Sequence, residues 1–425
     1  MSLRNQPPPI ALPQTLRYVR PEVHKLDNGV ALHVINTGSL NVLRVSLVFG
    51  AGSRFQQQRL VARTALYMLS EGGAAGLSGA QVAEQFDHAG ASYELNIDKD
   101  FAMLTVYSLS QHLPKVLRTL SDVALHPAYD ANALRTYCAK RKQRLSIDKQ
   151  KVSYLAREQL LAQIYGHQHP YGSYAVPQDY DCIEREQLVA FHQQFYTAER
   201  CSIVAAGNIS DEAVRQIIDS FSPLPASRNA SNDAPFAHSE ADNRPLLHIE
   251  KQGTVQSAIR VGCELFGKGH TDYAGMHVLS VILGGYFGSR LMRNLREEKG
   301  YTYGAYATMV NFQQAGHLSI NAEVGKEFSR AALTEIFAEM QRLRDEPISD
   351  GELTLVRNHL CGDIMRSLDG AWALADTAVD DVQCRLAEPY ILRFFDTVKT
   401  ISSEQLQGLA RKYLRPENMR CVIAG

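Results

Sequence analysis

The chain of 425 residues has no Cys-x-x-Cys pair and no surplus of charge of either sign. It also has no apolar run near the roughly 18 residues that a bilayer-spanning helix needs. Its seven cysteines, at 138, 182, 201, 263, 361, 384 and 421, are scattered. That spacing excludes a paired-cysteine zinc site and reads as reduced, mostly buried thiols, not a disulfide framework. A net charge of −1 gives no global reason to expect nucleic acid or an anionic membrane as partner. Met1 to Pro13 is polar and proline-rich, without the apolar core of a secretory signal. The expectation is a cytoplasmic protein, with the periplasm as the alternative if a signal peptide has been removed. What is present, 45% hydrophobic and 21% charged residues, is the composition of a globular protein. Its length exceeds one ordinary core and implies two or more domains.

The chain is written twice. Phe195 to Gly207 and Tyr413 to Gly425 are similar, aligning Glu199 with Glu417 and Gly207 with Gly425. Leu43-Arg44-Val45 and Ile259-Arg260-Val261 open a second pair of similar segments, each a strand, a turn and an apolar-periodic helix. Repeats this long are homologous domains, not solenoid units. The stretch 223–245, rich in Pro, Ser, Asn and Asp, reads as a linker between domains at 1–222 and 246–425. Apolar alternation predicts strands near 30–36, 43–49, 93–108 and 201–206, then 246–250, 257–265, 303–311 and 316–323. Helical periodicity covers about 57–70, 80–88, 111–125, 131–146, 151–164 and 184–194, then 271–283, 328–344, 350–367 and 403–412. Helices gathered between separated strand pairs, without strict βαβ alternation, indicate an α+β architecture in each half.

Chemistry concentrates in residues 284 to 306. They read as a glycine turn, a short charged helix ended by Gly300, and a strand carrying Tyr301 and Tyr303. Arg296 precedes Tyr303 by seven residues across that helix-to-strand corner. An Arg and a Tyr so held can together grip a peptide carbonyl and its developing oxyanion. Each also has an ordinary reading: a cation near a helix end complements the dipole, as Lys299 does, and tyrosine is common in strands. Strand alternation puts Tyr301 and Tyr303 on one face and does not choose between them. His167 and His169, without a nearby acid, read as structural. The basic run from Arg135 to Arg144 reads as a solvated helix face which, if it lined a chamber, would favour acidic peptides.

Three features together resemble the pitrilysin-type zinc peptidases, the family of mitochondrial processing peptidase and insulin-degrading enzyme. They are the two similar α+β halves, His169-Pro170-Tyr171-Gly172 after a helix, and Gly288-Ser289-Arg290-Leu291 leading to Leu295 through Tyr303. The resemblance runs from about Val23 to Gly425. It implies two homologous domains, each a mostly antiparallel sheet packed against helices, in a clamshell arrangement. Active members carry His-x-x-Glu-His on a helix of the first domain, where two imidazoles bind zinc and the carboxylate activates its water. The matching helix is Leu60 to Glu71, recognisable from Met68-Leu69-x-Glu71-Gly72. Its histidine positions fall on Arg63 and Tyr67, and its glutamate position on Leu66. Arginine does not ligate zinc, a phenol with an ordinary pKa near 10 is a poor ligand, and leucine abstracts no proton. The third ligand, a glutamate on a later helix, falls near Gln143, in a cationic run that repels a divalent ion. The family's edge-strand signature Asn-Ala-x-Thr corresponds to Glu94-Leu95-Asn96-Ile97 here.

Arg296 and Tyr303, in contrast, match the positions that in active members bind substrate carbonyls and steady the tetrahedral intermediate opposite the zinc. The resemblance therefore implies a non-zinc subunit, without a cofactor of its own and catalytically silent alone. It would bind peptide and lend Arg296 and Tyr303 to a zinc-bearing homologue in a heterodimer, with a homodimer as the other assembly. The alternative is a structural or peptide-binding subunit with no part in proteolysis, like the core subunits of the respiratory cytochrome complex. A zinc peptidase with substitute ligands is a third reading. A more pointed expectation puts the Arg63 cation in the place of the lost metal.

Overall fold

In the computed structural model, which describes residues 13–227, 244–386 and 389–425, each half of the chain builds one open sheet with helices against it. The first half runs β1 (Glu22–Lys25), β2 (Ala31–Asn36), β3 (Val42–Phe49), α1 (Val61–Glu71), α2 (Gly79–His88), β4 (Ser92–Ile97), β5 (Ala102–Leu109), α3 (Leu113–Leu125), α4 (Ala131–Asp148), α5 (Val152–Tyr165), α6 (Arg185–Phe195), β6 (Cys201–Gly207) and α7 (Asp211–Phe221). The second runs β7 (Leu246–Ile249), β8 (Gln256–Leu265), α8 (Tyr273–Ser280), β9 (Thr302–Asn311), β10 (Gly316–Gly325), α9 (Ser329–Asp345), α10 (Asp350–Arg366), α11 (Gly370–Cys384), α12 (Tyr390–Thr400), α13 (Ser403–Tyr413) and β11 (Arg420–Ala424). The strand orders are β1-β2-β6-β3-β5-β4 and β7-β11-β8-β10-β9. Pairing is antiparallel except for β2 with β6 and β7 with β11. The fold is thus α+β with two mostly antiparallel sheets.

Residues 1–12 and 228–243, the latter forming most of the expected linker, lie outside the described residues. The described chain ends α7 at Phe221 and resumes as a strand at Leu246. Helices α7, α11 and α12 are additional to the expected elements. The segment expected as strand over 93–108 is a hairpin. Its turn is set by Asp98, whose Oδ1 accepts the backbone N–H of Asp100 and of Phe101, each at 2.7 Å. An aspartate turn without Gly or Pro leaves little mark on the apolar alternation, so the two strands read as one.

The central strands are buried on both faces, and the second face explains how the halves join. In β3 every residue from Leu43 to Phe49 is buried. One face of each sheet carries helices of its own half. The opposite face of the first sheet packs Ile35, Val48, Val204 and Ala206 against Leu374, Ala375, Ala378 and Val379 of α11, a helix of the second half. Reciprocally, Ala156, Leu160 and Ile164 of α5 cover Ala258, Val422 and Ala424 of the second sheet. Gly262 lets α5 approach: a Cβ there would lie 2.3 Å from the Leu318 carbonyl oxygen and 3.3 Å from Leu160 and Ile164. Each such Leu or Ile withdrawn from water contributes about 1.5–3 kcal/mol. The halves are interlocked, because parting them would strip both sheets.

A buried ion pair of the first half lies at the same junction and is bridged from the second. Arg54 Nε lies 2.8 Å from Asp100 Oδ1, with both side chains almost wholly buried. Gln313 of the second half donates its backbone N–H to Asp100 Oδ2 at 3.0 Å and accepts from Arg54 Nη2 at 2.9 Å. Tyr171 donates its hydroxyl to Asp100 Oδ1 at 2.8 Å. With these partners the carboxylate is well satisfied, as a buried charge must be. No helix among the described residues is long and apolar enough to cross a membrane.

Candidate functional site

Helix α1 begins after Leu60, which takes a left-handed conformation, and lays Ala62, Leu66 and Leu69 into the core of the first half. Leu66 is fully buried, so the glutamate position of the motif has become a packing position. Arg63 and Tyr67 stand one turn apart on the half-buried face. They join an alternation of guanidinium and ring. Arg63 Cζ lies 5.5 Å from the Tyr67 ring centroid, and Arg141 Cζ lies 4.9 Å from Tyr67 and 5.1 Å from Tyr137. The two rings stack at 6.3 Å, and Tyr67 donates its hydroxyl to the Leu95 carbonyl at 3.3 Å. Burial pushes the Tyr137 phenol above its ordinary pKa against the opposing pull of Arg141.

Gln143 does not face this group. It is exposed on α4, and the residues of that helix that meet Tyr67 are Tyr137 and Arg141, the latter two positions earlier. A cation thus stands near the position expected for the third ligand. Zinc does not fit these residues, because Arg63, Leu66, Tyr67, Tyr137 and Arg141 include no imidazole, thiolate or carboxylate. Among the described residues no group of three or more His, Cys, Asp or Glu is placed to hold a metal ion. His169 is a packing residue: its ring stacks on Tyr165 at 5.5 Å, and its Nδ1 accepts the Tyr171 N–H at 3.1 Å.

The corner of the second half is held differently. Helix α8 widens into π-turns over Val281–Gly285, and a second wide-turned segment spans Met292–Glu298. Gly284 is required because a Cβ there would lie 2.4 Å from the Ala307 backbone nitrogen, where β9 passes. Three side chains anchor the corner. Arg290 makes a bidentate pair with Glu352, at 2.9 and 2.7 Å. Asn294 donates to Glu335 at 2.9 Å and to Glu339 at 2.7 Å. Lys299 pairs with Glu335 at 3.4 Å.

Arg296 makes no ion pair among the described residues. Its Cζ lies 4.6 Å from the ring of Phe287, itself 62% exposed. Tyr303 is 90% exposed and Tyr306 is 53% exposed. Tyr301 and Tyr303 do not share a setting, contrary to simple alternation. Strand β9 begins only at Thr302, and its register against β10 shifts between Ala322 and Val324. Tyr301 stacks on Phe328 at 4.8 Å, while Tyr303 is left to solvent. Both candidate regions adjoin a sheet edge: α1 reaches β4 through Tyr67, and the corner feeds β9.

Comparisons with known proteins agree along most of the chain. Residues 34–177 match the family model described as insulinase, peptidase family M16, and residues 183–360 match the one described as the peptidase M16 inactive domain. "Uncharacterized zinc protease YmxG" of Bacillus subtilis is 22% identical over 402 residues, 94% of this chain and 97% of that one. "Probable inactive metalloprotease YmfF" of the same organism is 19% identical over 304 residues, 69% of this chain and 70% of that one. The crystal structure of a peptidase M16 inactive domain from Pseudomonas fluorescens superposes with a TM-score of 0.86 at 25% identity, covering 96% of this chain and 98% of that one.

Proposed function

Because the chain belongs to peptidase family M16, we propose that it is a non-zinc subunit that binds peptide and contributes Arg296 and Tyr303 to the chemistry of a zinc-bearing homologous partner. The observation that carries this reading is the idleness of that pair in its own fold. Arg290, Asn294 and Lys299 fix the corner, whereas Arg296 pairs with no carboxylate among the described residues and Tyr303 is 90% exposed. A guanidinium and a phenol kept available beside an edge strand can donate to a peptide carbonyl oxygen as it gains charge. In this assembly the partner supplies zinc and water activation, and this chain orients the carbonyl. Exposed Phe287, Tyr303 and Tyr306, all within the corner and the strand it feeds, also supply apolar surface for a bound peptide.

The test mixes the chain with a homologue bearing His-x-x-Glu-His and follows peptide cleavage. Loss of one such donor costs about 10²–10³ in kcat in comparable sites. Arg296→Ala is expected to fall in that range, Tyr303→Phe to lose less, and this chain alone to be silent. Equal rates for wild type and both variants would overturn the role and favour a structural subunit.

A further inference from the structure

Arg63 also borders a cavity of about 390 Å³ between the start of α1, the end of β4 and α5. Four cations bound it, Arg59, Arg63, Lys99 and Arg157, against two acids, Asp98 and Glu158. Both acids are already engaged. Glu158 meets Lys149 Nζ at 2.7 Å, and Asp98 accepts the two turn N–H groups of its hairpin. Lys99 is committed to the carbonyls of Pro170 and Ser173, at 2.9 and 3.0 Å, and burial pulls its ammonium down to about 8. Arg59 reaches Asp179 only at 3.6 Å.

Arg63 and Arg157 have no ion pair among the described residues. Each lies over a ring face instead, Arg63 at 5.5 Å from Tyr67 and Arg157 at 5.0 Å from Tyr154. A ring holds a guanidinium by its plane and leaves the N–H edge free to donate. Two such forks at one cavity form a receptor for carboxylate. The volume exceeds that of a small inorganic anion. The rim includes Ile97, the last residue of β4, which is the outer strand of its sheet. An extended chain lying along that edge would deliver a side chain to the cavity.

We propose that this cavity binds an acidic side chain of a peptide, with Arg63 and Arg157 as its carboxylate donors. The site deepens the peptide-binding reading above. Its test uses this chain alone and no cleavage, so failure here leaves the Arg296 and Tyr303 experiment intact. A fluorescently labelled glutamate-containing peptide and the same peptide with glutamine in its place are titrated against the full chain by anisotropy. The acidic peptide should bind about tenfold tighter or more, as befits a charge-assisted contact, and lose affinity as salt rises. Arg63→Gln and Arg157→Gln should each remove most of that advantage, and Lys140→Gln, on the exposed side of α4, should not. Arg157 is exposed, so its variant remains informative if Arg63→Gln folds poorly. Equal binding of the two peptides, or an advantage untouched by Arg157→Gln, overturns the proposal. Inorganic phosphate serves as the free-anion arm, and binding as tight as that of the acidic peptide would overturn a peptide occupant.

Discussion

Helix α1 in the first half and the corner from Gly284 to Tyr306 in the second each stand beside the edge strand of a sheet, yet they treat their residues in opposite ways. At α1 the fold consumes two of the motif positions: Leu66 is core, and Tyr67 is stacked between guanidiniums and bonded to β4. At the corner the fold rests on Arg290, Asn294 and Lys299, while, among the described residues, Arg296 meets only the exposed Phe287 ring and Tyr303 faces solvent. A side chain that stabilises its own domain is revealed by burial and partners. Arg296 and Tyr303 lack such partners among the described residues. The contrast separates side chains that serve their own fold from side chains that do not.

Substitutions can break this contrast or sharpen it, and the largest effect is expected where the two halves meet. Asp100→Ala leaves the Arg54 guanidinium buried without its carboxylate and should cost about 3–5 kcal/mol, read from urea denaturation. Because α5 and α11 are exchanged between the sheets, both halves should unfold in one transition. Two separated transitions would show that the interlock is weaker than its packing implies.

Next in size is the split between stability and activity at the corner. Arg296→Ala should shift stability by no more than about 0.5 kcal/mol, as for a half-buried residue that makes no ion pair among the described residues and touches only an exposed ring. With the zinc-bearing partner it should still slow cleavage by the factor given above. A large loss of stability would erase the distinction between the two regions.

Acid gives an effect that depends on pH. Burial holds the imidazoles of His277 and His317, both in the second half, down to about 4. Their folded pKa lies below the unfolded value near 6.5, so the unfolded chain takes up protons first as pH falls. Their contribution is complete above about pH 6.5 and is lost progressively toward pH 4, to the extent of about 3 kcal/mol each. Denaturation midpoints at pH 7 and 4.5 check this, and an unchanged midpoint would count against it. The smallest effect is expected at the stack. Tyr67→Leu keeps the apolar bulk but removes the ring contacts and one hydrogen bond, and should cost about 1–2 kcal/mol. The equivalent Tyr303→Leu should cost almost nothing, as a thermal melt would show.

Much of this was legible in the residues themselves. Alternation and helical periodicity placed most strands and helices, and the repeated segments announced two sheets. Arg63, Leu66 and Tyr67 at the positions that the resemblance assigns to the motif carry none of its ligand types. The spacing of Arg296 and Tyr303 marked the corner. Other features were not legible. The apolar stripe of α11 carries no sign that it covers the sheet of the other half, because hydrophobic burial is non-directional and many faces would serve. Helix α4 has little apolar periodicity, so its residues do not reveal its inward side. Packing sets Tyr137 and Arg141 against Tyr67 and leaves Gln143, about 200° round the helix, outside.

What the sequence determined by itself are properties that depend on residue type and on neighbours along the chain: the α+β class, the duplication, the absence of zinc ligands in the motif and the presence of an Arg–Tyr pair. Tertiary structure alone decided which helix covers which sheet, that Arg54 and Asp100 seal the junction, and that a register shift in β9 gives Tyr301 to the fold and Tyr303 to solvent. Those outcomes rest on contacts between residues far apart in the chain. Periodicity records only which way a side chain faces. What it meets there is settled when the elements pack.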